Sequence, residues 1–102
     1  MKIDLATKLV DEEDSVVMEG DSPASVVTVL KRAVLADVQP NGTPIPAEQK
    51  LARFELFLKL RQADSNTDFT TDEIALLESA ILVYPTLISG QLNYLLHNKT
   101  VK

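Results

Sequence analysis

The prolines constrain this chain more than any other residue type. Pro23, the group Pro40, Pro44 and Pro46, and Pro85 mark places where a helix must begin or stop. Proline has no amide hydrogen to donate, and its ring clashes with the preceding helical turn. The segments between these marks carry apolar residues at helical spacing, so the chain reads as a series of short helices joined by turns.

Ser22 followed by Pro23 has the form of a helix start, with a serine oxygen to accept from a first-turn amide. The stretch "ASVVTVLKRAVLADV" then sets Val26, Leu30, Ala33, Val34 and Val38 near one face, and "QPNGTPIP" is expected to end this helix at about Val38. Pro46 opens the second helix, "AEQKLARFELFLKLRQAD", with Glu48 in its first turn and Lys59 and Arg61 in its last, the order that suits the helix dipole. Leu51, Phe54 and Leu58 are expected to be its core stripe, with Glu55 and Lys59 paired on the outside. Leu56, Phe57 and Leu60 then widen the apolar surface beyond that stripe, so this helix is either central to the core or also covers a partner.

Thr70 and Glu73 form a capping box that starts a third helix, with Ile74, Leu77, Ile81 and Tyr84 on its inner side. Pro85 breaks that helix and begins a fourth, "TLISGQLNYLLHN", in which Ile88, Leu92, Leu95 and Leu96 share a face. At the other end of the chain, Ile3, Leu5 and Leu9 alternate with Lys2, Asp4 and Lys8, the pattern of a half-buried strand, with a short helix as the rival. Val16, Val17 and Met18 are expected to return as its partner before Gly20. The fold class is therefore mostly α: a four-helix domain with an N-terminal β-hairpin, an α+β arrangement being the alternative. Residues 1–102 form one domain, with 1–20 as hairpin or arm and 22–97 as the helical core.

Composition narrows the function classes. An apolar fraction of 45 % with 25 % charged residues is ordinary for a globular chain and argues against disorder throughout. Cysteine is absent, which removes disulfides, thiolate catalysis and sulfur-ligated zinc. Ten Lys and Arg stand against fifteen Asp and Glu, and the basic residues are scattered, so direct nucleic-acid binding is disfavoured. "MKIDLATKLV" lacks the apolar run of a signal peptide, and no segment reaches the roughly 20 apolar residues that span a bilayer. The expected location is the cytosol, away from membranes.

Few residues suggest chemistry. Asp64, Asn66 and Asp68 in "DSNTDFTTDEIALL" have the spacing that opens a calcium loop, but the turn glycine and the closing glutamate are replaced by Phe69 and Ala75. The capping box explains the same stretch without a metal. His97 is the single histidine and sits where a helix C-terminus favours a cation, and Gly20, Gly42 and Gly90 are too far apart for a phosphate loop. The acidic pairs lie in loops or on polar helix faces, where pKa shifts are small. No catalytic residue, cofactor or metal is expected, and the protein is not read as an enzyme. The run "DEEDSVVMEGD" has no basic residue and reads first as a solvated turn, the alternatives being a docking surface for a basic partner or a weak divalent-ion site.

The order "KIDLATKLVDEEDSVV", "VVTVLKRAVLADV", "AEQKLARFELFLKL" and "FTTDEIALLESAILVYPTLISGQLNYLL" resembles small proteins encoded by tailed bacteriophages and prophages, most specifically in "TTDEIALLESAILVYPTLISGQ". The resemblance implies a phage or prophage origin in a bacterial host cell, and no catalytic residues. The function expected is a non-enzymatic module that binds a host or phage protein, with an oligomeric phage assembly factor as the alternative. The candidate interaction surface is Asp11, Glu12, Glu13 and Asp14 together with Leu56 and Leu60, and the partner is another protein, a second copy of the chain, or both.

Overall fold

The computed structural model describes residues 2–5, 7–39, 41–64 and 66–97, with Glu19 described through its backbone alone. The first helix starts three residues later than expected. Ser25 caps it: its Oγ accepts from the Thr28 amide at 3.2 Å and donates to Thr28 Oγ1 at 2.8 Å, and helix α1 runs Val26–Val34. Ser22 and Pro23 belong instead to a two-residue strand. Strand β1 (Met18–Glu19) pairs antiparallel with β2 (Ser22–Pro23), Met18 opposite Pro23, and Gly20 makes the turn with φ 61°.

Helix α1 also ends earlier than Val38. Asp37 O accepts from Ile45 N at 3.3 Å and Gln39 N donates to Thr43 O at 2.7 Å, so the chain doubles back over the helix end and buries Ile45 there. Gly42, at φ 85°, supplies the left-handed residue of that turn. Val38 is left half exposed and bridged to Pro44 rather than placed in the core.

The N-terminal alternation is present, with Ile3, Leu5 and Leu9 buried and Lys2, Asp4 and Lys8 exposed. The hairpin expected over residues 1–20 is not a regular one. The chain does turn back across 11–15, through Asp11 N to Ser15 O and Val17 N to Leu9 O, both 2.8 Å. However, residues 2–10 spread their backbone pairing over several neighbours, Lys2 with Asp68, Lys8 with Ser25 and Val10 with Val16. The segment is an arm laid across the helices, and among the described residues the one short ladder lies beyond it, between β1 and β2.

Helix α2 (Ala47–Arg61) follows Pro46, and α3 (Thr71–Ala80) follows Thr70. A 3-10 turn, Ile81–Val83, leads through Pro85 into α4 (Thr86–Leu96). The domain is mostly α, with these four helices around one core. That core joins Ile3 and Leu9 of the arm, Leu30 of α1, Leu60 of α2, Leu77 of α3 and Leu92 of α4. Tyr84 OH donates to Val29 O at 3.1 Å and ties the start of the last helix to the middle of the first.

Candidate functional site

Helix α2 is apolar on two opposite faces, and the structure buries the one that sequence spacing placed outside. Leu56 and Leu60 are 2 % and 1 % exposed, whereas Leu51, Phe54 and Leu58 are 63 %, 50 % and 38 % exposed. Leu56 and Leu60 are therefore core residues and drop out of the candidate surface. At about 100° per residue, the stripe Arg53, Leu56, Leu60 lies nearly opposite the stripe Leu51, Phe54, Leu58. The spacing of either stripe suits a core. The misassignment has a physical cause: the buried stripe contains Arg53, which counting apolar residues places in solvent, and α1 packs on that side.

Arg53 is 4 % exposed. It lies under the end of α1, where Nη1 donates to Ala33 O at 3.5 Å, and its Nε has no hydrogen-bond partner among the described residues. A cation suits this place, because the last carbonyls of a helix carry partial negative charge. Burial lowers the Arg53 pKa from the usual arginine value, but arginine keeps its charge near neutral pH. Beside it opens a cavity of about 180 Å³ lined by the apolar Val34, Leu35, Ile45 and Phe54. Ala36, Asp37 and Lys50 complete the wall, the two charged residues being exposed. Leu35 is itself half exposed, so the cavity continues the uncovered stripe of α2.

The acidic turn is built by its first residue. Asp11 Oδ1 accepts from the amides of Glu13 at 2.9 Å and Ser15 at 3.0 Å, closing a tight turn in which Asp14 takes φ 63°. Aspartate tolerates this left-handed region better than most residues because its short side chain bonds locally. Asp11 is thus engaged in shaping the turn, while Glu12, Glu13 and Asp14 project into solvent. The acidic turn and the exposed stripe of α2 belong to different parts of the chain, and Leu56 and Leu60 do not join Asp11 to Asp14 in one surface.

The stretch with calcium-loop spacing is a helix entry. Asp64 Oδ1 accepts from Asn66 N at 2.8 Å, and Phe69 is buried in the core. Thr70 Oγ1 accepts from Glu73 N at 3.1 Å while Glu73 Oε1 accepts from Thr70 N at 2.8 Å, the reciprocal capping box. Among the described residues no group of three or more acidic or histidine side chains could hold a metal ion. Glu73 Oε1 also meets Lys59 Nζ at 2.7 Å, so Lys59 reaches α3 rather than Glu55 on its own helix. Burial pushes the Glu73 carboxyl up, but the bonds from Lys59 and Thr70 outweigh it and hold the pKa below the ordinary glutamate value. His97 closes α4 and places Nε2 2.7 Å from Glu78 Oε1 of α3.

No family model matches the sequence, and neither a curated protein nor a solved structure matches it. Among the described residues no helix is long and apolar enough to cross a membrane.

Proposed function

We propose that the protein is a non-enzymatic protein-binding module whose docking element is the outer stripe of α2. One observation carries this reading: Leu51, Phe54 and Leu58 recur at i, i+3 and i+7 on the longest helix and are all uncovered. Three large apolar side chains in line are what a helical docking surface needs, and leaving them in water is unfavourable by roughly 25 cal/mol per Å² of apolar area. Leu35 and Phe54 extend the patch onto the cavity wall at the end of α1.

The setting proposed is a bacterial cytosol and a phage or prophage origin, supported by the resemblance of "TTDEIALLESAILVYPTLISGQ" to phage-encoded proteins. The partner is a host or phage protein. A second copy of the chain is the alternative occupant, the arrangement of an assembly factor. The double variant Leu51→Glu, Phe54→Glu tests the reading, since the two side chains are 63 % and 50 % exposed and neither belongs to the buried core. The expected outcome is an unchanged circular-dichroism melt with loss of association, self-association read by sedimentation and partner capture by pull-down from bacterial lysate. A variant that sediments and captures as the wild type does refutes the α2 stripe as the docking element.

A further inference from the structure

The inference rests on the reading of α2 as a docking helix and specifies the chemistry of what docks. Arg53 is a buried cation with a single hydrogen bond to a described residue, at the long distance of 3.5 Å, and an Nε with none. Guanidinium presents five donors in a planar fork, so the site leaves most of that capacity unused. The charges on the wall are Arg53, Lys50 and Asp37, two positive and one negative, in a chain whose formal net charge is −5. The cavity is therefore a positive spot on an acidic protein, framed by Val34, Leu35, Ile45 and Phe54.

We infer that the cavity between the end of α1 and α2 receives an aspartate or glutamate side chain of the docking partner, held by Arg53, while an apolar neighbour of that acid packs on Phe54 and Leu51. A carboxylate matches the guanidinium fork and balances the one positive charge by which Arg53 and Lys50 exceed Asp37 on the wall. Its size is adequate, since an apolar cavity of about 150 Å³ admits a molecule as large as benzene. The contact also gives a role to the one charged residue on the buried stripe of α2. Helix-end capping alone is the rival role for Arg53, and it needs neither a cavity nor a partner.

The test uses the whole protein and two dipeptides blocked at both ends, acetyl-Phe-Glu-amide and its neutral counterpart acetyl-Phe-Gln-amide. The readout is the Arg53 Nε–Hε signal in a nitrogen-15 correlation spectrum, assigned by its disappearance in Arg53→Met, together with the backbone amide signals of Leu35 and Ile45 on the cavity wall, which report binding in the variants as well. The Phe-Glu probe is expected to move this signal and saturate with a Kd on the order of 1 mM. Phe-Gln should bind about tenfold more weakly, the ratio that a charge-assisted hydrogen bond contributes. In Arg53→Met, Phe-Glu should bind no better than Phe-Gln. If that variant does not fold, Arg53→Lys keeps the charge but loses the fork, and Phe-Glu should bind it several-fold more weakly than the wild type. Equal binding of the two probes, or an Arg53 signal that neither moves, overturns the inference. So does tighter binding by acetyl-Phe-Gln with a free carboxyl end, which would assign the cavity to a chain terminus. Because the probes need no protein partner, this result and that of the Leu51→Glu, Phe54→Glu variant can fail separately.

Discussion

Gln91 shows at the scale of one residue how a polar side chain holds the arm to the helices. Its Oε1 accepts from Val10 N at 2.9 Å and its Nε2 donates to Val10 O at 2.7 Å, so the amide stands in for a neighbouring strand. The same Nε2 also donates to Leu87 O at 3.1 Å, which fixes the side chain against its own helix. Gln91 is buried. Gln91→Leu keeps the bulk but strands both backbone groups of Val10, and an unpaired group out of water costs about 1–3 kcal/mol. The expected loss is in that range, read as a lower urea midpoint, and Gln91→Glu should cost at least as much, because its second carboxylate oxygen would face the carbonyls of Val10 and Leu87. An unshifted midpoint in Gln91→Leu would mean that water replaces the amide at no cost.

At the scale of elements, the junction of α2 and α3 is organised by Glu73. One carboxylate oxygen closes the capping box with Thr70 and meets Lys59, which also lies 4.9 Å from the centre of the Phe69 ring. A carboxyl whose pKa is lower in the folded chain than in the unfolded one stabilises the fold above the ordinary glutamate value of about 4.3, and loses that contribution as pH falls through the folded value. Glu73→Gln keeps an acceptor for Thr70 N but removes the charge. The melting temperature of the wild type should therefore fall more steeply on acidification below about pH 4.3 than that of Glu73→Gln, and parallel curves would remove Glu73 as the source.

At the scale of the whole molecule, the domain uses one side of α2 for its own core and leaves the other to solvent. Truncations on the two sides should differ sharply. Leu60→Ala removes a side chain that is 1 % exposed and is expected to cost about 2–5 kcal/mol. Leu51→Ala, at 63 % exposed, should stay within about 0.5 kcal/mol. Paired urea denaturations decide this, and the reverse order would restore the inner stripe expected from spacing. The arm shares in this economy: Ile3 and Leu9 cover the helices from the outside, so the core is closed by residues far apart in the chain.

What the sequence determined by itself was local. The capping box at Thr70 and Glu73, the helix entries after Pro46 and Pro85 and the alternation of Ile3, Leu5 and Leu9 all depend on residues within a few positions of one another, and the structure contains each. The mostly α fold class followed from the same short-range signals. Ser22 followed by Pro23 was as good a helix start as Ser25, and only the pairing of Met18 with Pro23 chose between them. Tertiary structure alone decided which face of α2 turned inward, because the stripe richer in apolar residues was left out and the one carrying Arg53 packed under the end of α1. It alone placed Arg53 under the end of α1 and a cavity beside it, since neither Ala33 O nor the returning Ile45 is near Arg53 in the chain. Periodicity reports that a face is apolar, and the neighbour that packs against it determines whether that face is core or surface.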